Sequence, residues 1–133
     1  LGPLEVIEDA VDRLVAALEV LSDPTKDTDT QALVAGAWEA FANPRAMAGL
    51  EILISTKELR AGLDRRHTER LGSALAALMK RVEPSNDRDH ASALGLMLWT
   101  TPVAMMIAEM FATAPVAIED AQKAIADLID RNR

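Results

Sequence analysis

Residues 87–132 read DRDHASALGLMLWTTPVAMMIAEMFATAPVAIEDAQKAIADLIDRN, two helical patterns of opposite character joined by a short Thr-Ala-Pro turn ending at Pro115. From about Asp87 to Ala112 apolar residues occupy most of the helical circumference, and a helix of that kind must be covered on more than one side. From Pro115 to about Asn132 the pattern is amphipathic, with a stripe of Val116, Ile118, Ala121, Ile125, Leu128 and Ile129. Proline suits the first turn of that helix, Glu119 and Asp120 near its start and Arg131 and Arg133 at its end oppose its dipole. A helix apolar all round beside an amphipathic one calls for further helices to cover them, which makes the chain an all-α bundle.

The upstream sequence supplies four more. A first helix from about Pro3 to Leu21 places Leu4, Ile7, Val11, Leu14, Leu18 and Leu21 at steps of three and four, and Ser22-Asp23-Pro24 ends it. A second, about Asp29 to Ala42, carries Leu33, Val34, Ala37, Trp38 and Phe41; a third runs from Pro44 to about Thr56. The fourth, about Glu58 to Val82, has Leu59, Leu63, His67, Leu71 and Leu75 in a row at steps of four, and Glu83-Pro84-Ser85-Asn86 turns the chain into the fifth. No strand pattern interrupts them, so residues 1–133 are expected to form one six-helix domain.

Composition bounds the function. Among 133 residues alanine is the commonest, aromatics amount to 3%, and there is no cysteine, which excludes disulfides, thiolate metal sites and thiol nucleophiles. Fourteen basic residues face 21 acidic ones for a net charge of −7, the wrong sign for phosphate neutralisation, so these residues are not expected to contact DNA. The longest apolar stretch, Leu94 to Phe111, is interrupted by Thr100, Thr101, Pro102 and Glu109 and falls short of the roughly 18 uninterrupted residues of a membrane span. A cytoplasmic protein without a membrane segment is the expectation.

Six helices of these lengths, closing with an apolar helix, a Thr-Ala-Pro turn and an amphipathic helix, resemble the ligand-binding and dimerisation domain of tetracycline-repressor (TetR) family transcription regulators. Leu1-Gly2-Pro3-Leu4-Glu5-Val6-Ile7 is similar to the segment by which that family's connecting helix leaves its DNA-binding head. The resemblance implies a homodimer, a small mostly apolar effector and DNA contact only through an N-terminal helix-turn-helix head that these residues do not contain. The tight Lys57-Glu58 junction is shorter than many family members have there.

The small residues Ala91, Gly95, Ala104 and Ala108 of the fifth helix, with Ala117, Ala121, Ile125 and Leu128 of the sixth, are the expected dimer surface, since small side chains let helices approach closely; the alternative is that they pack inside one chain. For the effector, the resemblance implies a cavity between the second, fourth and fifth helices. Trp38, Phe41, Met47, Leu50, His67, Leu71, Met97 and Met105 are its candidate lining, with Trp99 as a further aromatic, and methionine, here also Met79, Met106 and Met110, adapts to apolar shapes of many kinds. The same residues serve equally as ordinary core. His67 is a polar group on an apolar row and is either a ligand contact or a satisfied core histidine.

Asp64-x-x-His67 and Asp87-x-x-His90 place a carboxylate and an imidazole one helical turn apart, as in carboxylate-bridged di-metal bundles, but that chemistry needs two further inward carboxylates, for which Glu39, Glu51 and above all Glu109 are the candidates. No Gly-x-Ser-x-Gly elbow, phosphate loop or dinucleotide fingerprint occurs, and Arg65, Arg66 and Arg70 are offset by Asp64 and Glu69. The expected function is that of a non-enzymatic effector-sensing and dimerisation domain with no cofactor. The alternatives are a stand-alone helical interaction or scaffold module and, behind it, a carboxylate-metal bundle enzyme.

Overall fold

Pro3 opens α1 (Pro3–Leu21), where the N–H that proline lacks would have had no helical acceptor. The structure, a computed structural model, describes residues 2–55, 57–63, 65–82, 88–111 and 116–131, and within helices it leaves the side chains of 50, 53, 54, 59, 60 and 88–92 undescribed. After α1 the Asp23 carboxylate accepts from both the N–H and the hydroxyl of Thr25 (2.9 and 2.7 Å), which folds the start of the connecting loop. Arg81 donates to the Asp23 and Lys26 carbonyls and ties that loop to the bundle.

Asp29 caps α2 (Thr30–Phe41) by accepting from the Ala32 N–H at 2.7 Å. Asn43 then acts on two helices at once. Its Nδ2 donates to the last carbonyls of α2, and its Oδ1 accepts from the Ala46 N–H in the first turn of α3 (Pro44–Ser55). The helix expected over 58–82 is divided into α4 (Lys57–Gly62) and α5 (Arg65–Val82), with a bend at Leu63. The division falls directly after Gly62, a residue that costs about 1 kcal/mol in a helix interior. Then follow α6 (Arg88–Met110) and α7 (Ile118–Arg131), the latter beginning at Ile118 after Ala117 accepts from the Ala121 N–H. All seven elements are helices, and no strand occurs among the described residues. The turn at 83–86 and Pro115 lie outside the described residues.

The core joins α1, α2, α5, α6 and α7. Leu18, Val34, Leu78, Leu98 and Ile129 are at most 2% exposed, and burying each such side chain stabilises the fold by about 1.5–3 kcal/mol. α1 lies against α2, α3 and α5, while α2 lies against α6 and α7. Gly49 lets α3 approach α1: a Cβ there would come within 2.9 Å of the Ala10 methyl. Thr30 at the start of α2 donates to Asp130 at the end of α7, 2.5 Å away.

α6 corrects one expectation. Ala93–Met110, with a mean hydropathy of 1.4 over 18 residues, is long and apolar enough to cross a membrane, since the two threonines, the proline and Glu109 do not lower the average below that mark. Here Leu94, Leu98 and Pro102 of that helix are buried in the core it shares with α2, α5 and α7. The helix continues through Pro102 without a break.

Candidate functional site

Where α2, α5 and α6 meet, the side chains leave a cleft of about 200 Å³. Phe41 from the last turn of α2 and Leu78 from α5 form its buried floor, Leu75 and Met79 one wall, and Gly95, Leu96 and Trp99 of α6 the other. Gly95 lets Met79 of α5 pack directly against α6, since a Cβ there would overlap the Met79 side chain. Leu96 and Trp99 are 51% and 39% exposed, so that wall stands open to solvent. No lining residue is ionisable, and the strongest polar side-chain group among them is the indole N–H of Trp99. An ion entering here would lose hydration without a partner, so the cleft suits an uncharged molecule.

Two larger depressions differ in kind. One, of about 420 Å³, lies between α1, α2 and the start of α3 and is edged by Arg13, Glu39 and Arg45; the other, of about 340 Å³ on α1 and α5, is lined by Glu19, Arg66, Glu69 and Arg70. Both are grooves with charges of both signs at their edges, and neither has an aromatic wall.

The cavity expected between the second, fourth and fifth helices thus corresponds in place to this cleft, but with largely different residues. Of the eight candidates Phe41 lines it, together with Met79 and Trp99 from the wider set of methionines and aromatics. Trp38 is a core residue, and Leu71, Met97 and Met105 pack against that core; these four fill the space in which a central cavity would lie. Met47 is half-buried on α3, and the side chain of Leu50 lies outside the described residues. His67 is buried, with Nε2 3.7 Å from the Asp12 carboxylate of α1, an oxygen that Arg70 also approaches at 2.9 Å. It therefore belongs to the α1–α5 contact, remote from the cleft lining. Leu75, Leu78 and Leu96 were not among the candidates; their signal was only that of core leucines.

The candidate dimer residues divide in the same way. Gly95 is buried against Met79, Ile125 is 4% exposed in the core, and Ala121 and Leu128 pack against that core, so these four are occupied within the chain. Ala104 and Ala117 are exposed, Ala108 is half-buried, and the side chain of Ala91 lies outside the described residues.

What α6 turns outward is apolar and large. Leu96, Trp99, Ile107 and Met110 are exposed and Val103 is half-buried, at successive steps of three, four, four and three, which places them on one stripe opposite buried Leu94 and Leu98. Phe111, Val116 and Ile118 are exposed as well. From Ala91 to Ile118 the sequence holds a single charge, Glu109, which lies about 100° around the helix from Met110.

Glu109, the carboxylate expected to be interior, is exposed, as are Glu39 and Glu51. Asp64, Asp87 and the His90 side chain lie outside the described residues, and among the described ones no group of three or more His, Asp or Glu is arranged to hold a metal ion. No protein-family model, curated protein or solved structure matches the chain.

Proposed function

We propose that this chain is an effector-sensing and dimerisation domain, resembling that of TetR-family regulators, which would pass the binding of a small apolar molecule to a DNA-binding head outside these residues. It acts by binding, not catalysis, and in the cytoplasm. The observation that carries the reading is the outward apolar stripe of α6, with the α5–α6 cleft opening beside it.

A second copy of this chain is the occupant that fits the stripe. Leu96, Trp99, Ile107 and Met110 lie along it, each a large apolar side chain left exposed and none of them charged. Two copies carrying −7 each repel except where charge is missing, and the stripe is the longest uncharged surface on the described helices. Docking stripe on stripe about a twofold axis makes the contact self-complementary and closed. An effector that fits one arrangement of the two copies better than another biases the dimer toward it.

Sedimentation at micromolar concentration, with mass spectrometry of small molecules released from the purified protein, tests the reading. A dimer that accepts apolar compounds is expected; a monomer removes it. The filled centre of the bundle, with Trp38 inside it, favours the second reading, a helical interaction module that takes no ligand. A dimer that binds no apolar compound would establish that alternative.

A further inference from the structure

The cleft and the stripe share two residues. Leu96 and Trp99 form the α6 wall of the cleft, and they are also the first two positions of the stripe, each partly exposed. Whatever covers the stripe at that end also covers the mouth of the cleft. We infer that the cleft is a half-site completed by the partner copy, and that it takes a neutral aromatic molecule of one ring or two fused rings, enclosed when the two copies meet. The inference rests on the dimer and on the ligand-binding role proposed above.

Size and chemistry set the ligand class. An apolar cavity of about 150 Å³ is enough to hold benzene, and this cleft measures about 200 Å³. Its walls offer Phe41 and Trp99 for ring-on-ring contact and the Met79 sulfur for contact at a ring edge. The indole N–H of Trp99 is a donor and no carboxylate or cation is available, so a ring bearing an uncharged heteroatom fits and an ionised one does not. In a monomer such a ring would remain wet on the side of Leu96 and Trp99, which leaves part of the apolar gain unrealised.

Reciprocity then fixes the behaviour. If dimerisation closes the cleft and tightens ligand binding, ligand must tighten the dimer by the same factor, and couplings of this kind are commonly about fivefold or more. The protein is thereby a sensor whose association state reports the aromatic compound.

Indole is a suitable probe, with sedimentation measuring the dimer constant and calorimetry the indole affinity. Saturating indole should lower the dimer dissociation constant about fivefold or more. The variant Ile107→Asp places a charge on the stripe about 12 Å along the helix from Trp99, beyond the cleft. It should be monomeric, retain the wild-type helical circular dichroism, and bind indole about fivefold or more weakly. Ile107→Lys serves as a second variant should the aspartate disturb folding. A dimer whose constant ignores indole, together with equal indole affinity in the monomeric variant, overturns the shared half-site and leaves the dimeric sensor standing. Wild-type protein that is monomeric with and without indole overturns the dimer itself, and a dimer that takes up no indole at millimolar concentration overturns the ligand class.

Discussion

At the scale of single residues, the bundle depends on polar side chains that finish helices. Asn43 bonds both the last turn of α2 and the first turn of α3, so Asn43→Ala removes a C-terminal and an N-terminal cap together. A loss of about 1–2 kcal/mol is expected, measured by urea unfolding. Asp23 offers a pH-dependent counterpart. The Thr25 hydroxyl first, then the Thr25 N–H and the charges of Lys26 and Arg81, hold its carboxyl below the ordinary 3.8. A lowered pKa means that the folded state favours the ionised form. The contribution is full above pH 3.8 and fades as the pH falls through the lower folded value. In Thr25→Val the largest of these causes is gone, and the Asp23 carboxyl should titrate closer to its ordinary value when followed by NMR. His67, set between α1 and α5 beside Asp12, carries the opposite expectation for binding: His67→Leu should leave indole affinity unchanged.

At the scale of elements, α6 has two apolar faces with different roles, and unfolding measurements can separate them. Leu98→Ala empties space in the core and should cost about 2–5 kcal/mol. Ile107→Lys, on the outward face, should change the stability of the monomer by less than about 0.5 kcal/mol when measured at dilution. Equal costs would mean that α6 is rotated from the orientation described. This helix also explains what the sequence could and could not disclose. α1, α2 and α3 were legible to within a residue or so, because Pro3, Pro24, Asp29 and the Asn43-Pro44 pair act locally on the backbone. The division at Leu63 was not, because the row Leu59, Leu63, His67, Leu71 and Leu75 keeps its period across it. Nor was the outward side of α6, although Met79 and Trp99 of the cleft walls stood out by residue type. A helix apolar around its whole circumference has no polar face to say which side is outside, so Leu96 and Trp99 could not be told from Leu94 and Leu98. Phe41 was legible because α2 buries one side only.

For the molecule as a whole, charge and apolar surface make opposing demands that salt can resolve. Each copy carries −7, and two copies brought together repel over distances comparable with the Debye length, about 10 Å at 0.1 M salt. The stripe contributes attraction without ion pairs, since between Ala91 and Ile118 it has only Glu109, set to one side. Added salt therefore screens the repulsion and leaves the apolar contact intact, and the dimer should tighten as sodium chloride is raised from low to physiological strength and beyond. Surface ion pairs respond in the other direction, weakening as they are screened. Arg45 and Lys123 are exposed on other helices and would be cations of such a contact. A dissociation constant that rises with salt in sedimentation equilibrium would thus move the interface off α6 to one of those charged faces. A constant that falls with salt, together with loss of association in Ile107→Asp, assigns the contact to the outward apolar face of α6.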